Sequence, residues 1–437
     1  MPCVYQHTLS FPGDAFEVFC ILKDQPHVFF LDSSLHTRSS QFSYIGFAPF
    51  MTVGGSDLQK LKRAFDKYRL ASRKLSFPAG AVGYLGYDGS LFFGFYDTIL
   101  AIDHQQKQLI ISSFSKGRIQ DILKTLCDST GGRGRGLPSE RRLLRARWGN
   151  PRPGPVESSL VFKSNFTKAG YLKAIRQALE HIRRGDIYQI NLSHQVKVPN
   201  WPEMPEPAVI YKNLRQAFPS PFGAYFDDGR QVILSASPER FLKCQSGTVQ
   251  VKPMKGTRPR GETKTQDMEL KEQLLKSPKE IAELLMVTDL ERNDLGRVCD
   301  YKSIKVTAMR SIETYASVFQ ATSTVQGRLH KDKDQFDLLK STFPSGSVTG
   351  CPKIEAMKII SKLETVSRGL YTGALGYISF SGDMDFNVMI RTMFLKHKEI
   401  AFHVGGGIVA DSKPEDEWQE TWDKARPLIE TLKASFL

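Results

Sequence analysis

Short apolar runs, broken every few residues by Gly and Pro and not alternating cleanly with helical segments, constrain this chain more than any other feature. Residues 1–128 hold Val28-Phe29-Phe30-Leu31, Ala81-Val82-Gly83-Tyr84-Leu85-Gly86-Tyr87 and Leu109-Ile110-Ile111. These read as strands separated by turns. Residues 129–158 are rich in Gly, Pro and Arg with little apolar content, the composition of a flexible linker. From 166 to 184, Tyr171, Ile175, Ala178, Leu179 and Ile182 recur at helical spacing, which predicts a helix stopping near Gly185. Ile187–Leu192, Val232–Leu234 and Val249–Val251 then read as strands, as do 374–380, 388–395 and 400–409. Without regular strand–helix–strand alternation, a doubly wound parallel sheet is disfavoured. The pattern predicts an α+β fold with antiparallel sheet, in segments 1–128, 129–158 and 159–437.

Composition narrows the setting. With 41% hydrophobic and 24% charged residues, the 437-residue chain is that of a soluble globular protein. No apolar run approaches the ~20 residues of a membrane span. Met1–Ser10 lacks the basic and apolar parts of a signal peptide. The six cysteines are scattered, with no CxxC and no zinc spacing, so reduced thiols in a cytoplasmic protein are expected. Net charge is +14, partly from Arg133, Arg135, Arg141, Arg142, Arg145, Arg147 and Arg152 in the linker. No nucleic-acid-binding motif accompanies it, so a solvated basic loop is expected and nucleic acid is not an expected partner.

Several groups carry chemical potential. Lys255 sits in Pro253-Met254-Lys255-Gly256-Thr257, where Pro253 fixes φ and Gly256 permits conformations closed to other residues. Upstream, Ser237-Pro238-Glu239 offers a proton donor. Glu280 and Glu283 follow Ser277-Pro278, a helix start at which Glu280 would equally serve a capping box. Glu417 and Glu420 follow Ser412 and Pro414, and Lys424 is placed for an i,i+4 ion pair with Glu420. Two such glutamate pairs on facing helices would suit Mg²⁺, a hard ion that takes oxygen ligands; solvated acidic faces are the plainer alternative. Gly405-Gly406-Gly407 follows an apolar strand and reads either as an anion-binding nest or as a tight turn. Arg391, within a strand-like stretch, needs a carboxylate, from a substrate or from the protein itself.

In order along the chain, these residues resemble the chorismate-binding enzyme family. The resemblance runs from about Asn165 to Ala425. It takes in Gly185–Leu192, Ser237–Glu239, Lys279–Glu283, Asp289–Asp294, Pro344–Lys353, Tyr371–Tyr377, Ile390–Thr392, the three glycines and Glu417–Lys424. Tyr44-Ile45-Gly46 and Gly83–Asp88 resemble the family's first segment more loosely. The resemblance implies an anthranilate synthase component I-like β/α/α/β sandwich, with two antiparallel sheets around a central cleft and the linker joining halves of one unit.

Within the family, isochorismate- and salicylate-forming members carry a water-activating lysine where this chain has Gln189. Anthranilate synthases carry a small apolar residue where it has Lys255. The closest resemblance is therefore to aminodeoxychorismate synthase component I, which converts chorismate and ammonia to 4-amino-4-deoxychorismate, a precursor of 4-aminobenzoate and folate. Anthranilate synthase component I is the alternative, and a non-catalytic relative is the third reading. The resemblance gives Lys255 the role of nucleophile and Glu239 that of general acid. Mg²⁺ would be held by Glu283 and Glu420, with Glu280 and Glu417 close by. Ser347, Tyr371, Arg391, Gly405, Gly406, Gly407 and Lys424 would contact the substrate. Gln320 stands where many members have histidine, and glutamine cannot shuttle a proton near neutral pH. Leu31-Asp32-Ser33 with Pro221-Phe222 resembles a tryptophan pocket of relatives, with Asp32 in place of the usual glutamate. No Cys-His-Glu amidotransferase pattern is visible, so a separate glutamine amidotransferase subunit is the expected ammonia source. No membrane association is expected.

Overall fold

The computed structural model describes residues 3–35, 41–70, 77–128, 160–201, 203–315 and 318–435. The expected linker, 129–158, with its arginine run, lies outside the described residues. The first segment contributes β1 (Tyr5–Ser10), β2 (Phe29–Asp32), β3 (Phe42–Gly46), β4 (Met51–Gly55), β5 (Gly80–Leu85), β6 (Leu91–Tyr96), β7 (Thr98–Asp103) and β8 (Gln108–Ser113). From the remainder come β9 (Lys163–Ser164), β10 (Gln189–Val198), β11 (Phe222–Asp227), β12 (Val232–Ser237), β13 (Arg240–Gln245), β14 (Thr248–Val251) and β15 (Met254–Pro259). They continue with β16 (Lys305–Thr314), β17 (Val318–Arg328), β18 (Gly350–Cys351), β19 (Ala374–Ser379), β20 (Met384–Val388), β21 (Thr392–Lys396) and β22 (Glu399–Ile408).

Helices α1 (Ala15–Leu22), α2 (Leu58–Phe65), α3 (Lys116–Asp128), α4 (Lys168–Arg183) and α5 (Pro207–Ala217) lie among these strands. So do α6 (Lys264–Lys276), α7 (Pro278–Gly296), α8 (Gln335–Thr342), α9 (Lys353–Leu363) and α10 (Pro414–Ala434). The helix expected at 166–184 is α4. Thr167 caps it by accepting the Gly170 N–H, and Tyr171, Ile175, Ala178 and Leu179 form its buried face.

Two sheets result, and the pairings within them are antiparallel. One has 12 strands, in the order β1-β8-β7-β3-β2-β11-β12-β21-β22-β10-β18 with β9 beside β10; the other has 10, in the order β15-β17-β14-β13-β20-β19-β5-β6-β4 with β16 beside β17. Each mixes early and late strands. β2 pairs β11 in the first sheet, and β5 pairs β19 in the second. The α+β class with two antiparallel sheets is thus present.

The layers run helix, sheet, sheet, helix, so helices lie outside the sheets rather than between them. Phe29, Tyr44 and Phe226 of the 12-stranded sheet pack directly on Tyr84, Tyr96 and Tyr377 of the other. Helices α1, α3, α5 and α10 cover the outer face of the first sheet, and α2 and α8 that of the second. Burial on both faces explains why β5 and β19 are buried at every position and read as continuous apolar runs.

The strand expected at 388–395 is two strands. β20 belongs to the 10-stranded sheet and β21 to the 12-stranded sheet, so the chain changes sheet between them. Arg391 lies in that crossing with φ 50°, a turn conformation rather than a strand.

Candidate active site

A second crossing runs beside the first. β12 lies in one sheet and β13 in the other, and Ser237-Pro238-Glu239 joins them. The crossings are tied together: Ser237 Oγ donates to Val388 O at 2.6 Å, and Val388 N donates to Glu239 O at 3.1 Å. Glu239 and Arg391 are therefore set where the sheets exchange strands. Glu239 is buried, and its carboxyl is hydrogen-bonded to Ser347 Oγ at 2.6 Å. Burial raises its pKa to about 7, against the opposing pull of Ser347 and Lys255. Arg391 forms no ion pair among the described residues and lies over the Phe218 ring at 5.5 Å, with burial lowering its pKa. The internal salt bridge that would have accounted for it is absent there, leaving its guanidinium free for a ligand carboxylate.

Lys255 is aimed by a bulge. The β15–β17 register shifts between Met254 and Thr257, and Gly256 adopts φ 82°. Burial lowers the Lys255 pKa, with Glu283 and Glu239 acting in the opposite direction. A Cβ on Gly407 would meet Gln189 Nε2 at 2.7 Å and Lys255 Nζ at 3.4 Å, so these two side chains lie against that glycine.

The three glycines are neither a turn nor a nest. They are part of β22, with Gly405, Gly406 and Gly407 opposite Ser193, Leu192 and Asn191 of β10. Their use is steric. A Cβ on Gly406 would sit 3.2 Å from Glu417 Oε2 and 3.8 Å from Glu420 Oε1. Successive strand residues point to opposite faces, so the bare strand makes room for carboxylates on one side and for Lys255 on the other.

The four glutamates divide in their engagements. Glu280 is taken by Arg258, whose two Nη atoms donate to it at 2.6 and 3.3 Å; the Ser277 side chain makes no cap hydrogen bond, so the expected capping box does not form. Glu417 accepts from Ser412 Oγ at 2.6 Å, and Glu420 pairs Lys424 at 2.7 Å. Glu283 lies 4.0 Å from Lys279. Burial raises the pKa of Glu283 and of Glu417. It also works to raise Glu420, where Lys424, Lys279 and Lys255 together outweigh it and the net shift is downward. Among the described residues, no three His, Cys, Asp or Glu side chains gather closely enough to hold a metal ion by themselves. That donor set fits Mg²⁺ sharing its shell with water and ligand oxygens, because one or two carboxylates suffice for such a site.

Ser347 lies in the single turn Gly346–Val348, and Lys424 Nζ also donates to Gly405 O at 2.9 Å. Tyr371 is buried and stacks on His403, with ring centroids 5.0 Å apart and planes at 14°. Burial drives the His403 pKa down to about 3, so a neutral imidazole supports that phenol. His403 was not singled out from sequence: it has no motif, and only the fold brings β22 under Tyr371. The buried Gln189 and Gln320 each keep a side-chain oxygen without a partner among the described residues.

Away from Lys255, a cavity of about 340 Å³ opens between the sheets. Ser33, Pro221 and Phe222 line it with Tyr44, Arg240 and Asp385. Asp32 also borders it, but its carboxylate is engaged by Arg215 Nε at 2.8 Å and by Tyr211 at 3.2 Å. Ser33 Oγ donates to Phe42 O at 2.8 Å.

The chain belongs to the chorismate binding enzyme family, whose pattern matches residues 28–430. It is similar to anthranilate synthase component 1 of Acetivibrio thermocellus, at 35% identity over 408 residues covering 87% of this chain and 81% of that one. It is also similar to aminodeoxychorismate synthase component 1 of Bacillus subtilis, at 30% identity over 453 residues covering 95% and 93%. The crystal structure of anthranilate synthase component I from Streptococcus pneumoniae superposes with a TM-score of 0.75, at 29% identity over 90% of this chain and 93% of that one. No helix among the described residues is long and apolar enough to cross a membrane.

Proposed function

We propose that this protein is an aminodeoxychorismate synthase component I, aminating chorismate at C4. The observation that carries the reading is Lys255 itself: an amine on a bulge, against Gly407, with its pKa lowered by burial. At an ordinary pKa of ~10.4, only about one lysine in 2,500 is neutral at pH 7. Burial enlarges that fraction, as a nucleophile requires.

Glu239, protonated near neutrality, gives its proton to the C4 hydroxyl, which leaves as water. Lys255 attacks C2 as that bond breaks, and ammonia then adds at C4 and expels Lys255. Arg391 and Ser347 orient the substrate's carboxylate and enolpyruvyl arm, Tyr371 forms a wall of the pocket, and Lys424 adds positive charge. Glu283 and Glu420, with Glu417 beside them, would hold Mg²⁺, which when bound neutralises the ring carboxylate. Glu280, taken by Arg258, contributes field rather than a ligand. Gln189 is no base for activating water, and Gln320 supports stopping before pyruvate elimination.

Ammonia would come from a separate glutamine amidotransferase subunit, a reading supported by the "component 1" names of the relatives. The intersheet cavity is within the size range of small-molecule sites. We assign tryptophan to it, with Ser33, Pro221 and Phe222 as walls; unchanged melting temperature and turnover with tryptophan would oppose that assignment.

Anthranilate synthase is the second reading, favoured by the relatives of that name. The test is to incubate the protein with chorismate, Mg²⁺ and ammonium and identify products by mass spectrometry, with Lys255→Ala in parallel. Aminodeoxychorismate from the parent and little from the variant supports the assignment. Anthranilate overturns it.

A further inference from the structure

One buried carboxyl has no part in the mechanism above. Glu291, on α7, is 2% exposed. Its Oε1 accepts the Gly346 N–H at 3.0 Å and lies 3.3 Å from Ser345 Oγ, while its Oε2 is buried with no partner among the described residues. Ser345 Oγ lies 3.0 Å from Ser347 Oγ, which in turn lies 2.6 Å from Glu239 Oε1. Two buried carboxyls are thus joined through two hydroxyls.

Counting protons decides how such a chain is loaded. Its three contacts need three protons, and each serine supplies one. With both carboxyls ionised, the serine–serine contact has no proton. With both protonated, four protons compete for three contacts and one carboxyl must turn away. A single carboxyl proton fills every contact, in either direction. Burial raises the pKa of both Glu291 and Glu239 to about 7, so a carboxyl proton is retained near neutrality. The titratable and charged groups facing the pair are Lys255 and Tyr315 at the Glu239 end, and Asp294 and Lys353 at the Glu291 end.

We propose that Glu291 is a positioning residue that shares one proton with Glu239 through Ser345 and Ser347 and reloads Glu239 after each turnover. The inference rests on the reading of Glu239 as general acid. When Glu239 has released its proton to the departing hydroxyl, both carboxyls are ionised. A proton shed by ammonium, as it becomes the ammonia nucleophile, is taken up at Glu291 Oε2, the carboxyl oxygen without a partner among the described residues. After rotation of that carboxyl, the hydroxyl protons shift one place each: Glu291 to Ser345, Ser345 to Ser347, Ser347 to Glu239. Chorismate and ammonium are consumed, aminated product and water are formed, and the protons balance.

The test compares Glu291→Gln, Ser345→Ala and the double variant with the parent. Chorismate consumption is followed with ammonium as nitrogen source, and kcat and KM are recorded across about pH 6 to 9. For Glu291→Gln, kcat falls ~10-fold while KM stays within about twofold. Its alkaline limb moves down, because burial still raises the Glu239 pKa but the Glu291 charge that adds to that rise is gone. Ser345→Ala keeps that charge and breaks the chain, so kcat falls with little movement of the limb. The double variant loses no more than the worse single one. An unmoved limb and unchanged kcat in Glu291→Gln, or fully additive losses, would overturn the proposal. If Glu291→Gln does not fold, an unchanged kcat in Ser345→Ala does so alone. Full activity in Glu239→Gln would instead sink the general-acid reading. Because chorismate loss is the readout, neither result depends on which aminated product forms.

Discussion

Two side chains set the working pH in opposite senses. Lys255 acts when neutral, so turnover rises with pH through its lowered pKa. Glu239 acts when protonated, so turnover falls as pH climbs past about 7. A bell-shaped profile of kcat is expected, narrow because the active forms overlap only in part. Lys255→Ala should cost on the order of 10³ in kcat with an unchanged melting temperature. Retained turnover would remove the covalent step. Glu239 also links pH to stability. Between its ordinary 4.5 and about 7, the folded state keeps a proton that the unfolded chain releases, so stability falls as pH rises through that window. Glu239→Gln should flatten this part of the melting-temperature profile; Glu291 contributes with the same sign, so some slope remains.

Among the elements, β22 makes the sharpest distinction. Gly405→Ala drives a Cβ to 2.5 Å from Leu192 O, a backbone atom that cannot yield. A loss of roughly 1–3 kcal/mol in denaturant unfolding is expected. Gly407→Ala meets only side-chain ends, Gln189 Nε2 and Lys255 Nζ. It should cut kcat ~10-fold or more and leave unfolding nearly unaltered; equal damage to stability from both changes would show that the strand's bareness is merely structural. This element also shows where sequence reading ends. Helix α4 and strands β12, β14 and β19 were legible because local apolar spacing sets them. The strand expected over 400–409 is β22, but the glycines inside it were also read as a nest or a turn, because bare positions have no side-chain alternation to hold them to the strand. Arg391 was read as strand because the apolar run continues through a change of sheet. Lys255, Glu239 and the glutamates were legible as a motif set, whereas Glu291 and His403 gain meaning only from neighbours distant in sequence.

At the scale of the whole molecule, both sheets are closed by strands from opposite ends of the chain. Neither 1–128 nor 160–437 should melt cooperatively alone, while the two expressed together should reassemble and regain turnover. A cooperative melt from either segment alone would contradict this. A buried pair, Arg368 and Glu364 at 2.7 Å, holds the end of α9 to the Asn191 and Val348 carbonyls. Arg368→Ala should destabilise by about 3–5 kcal/mol, because a carboxylate is left buried without its partner. The pairing of Leu85 with Ala374 has a consequence in time. On a ribosome adding ~5–20 residues per second, β5 emerges roughly tens of seconds before the strand that covers it exists. Throughout that interval the nascent chain presents an uncovered apolar edge, so the yield of active protein depends on how well the growing polypeptide is shielded until β19 arrives.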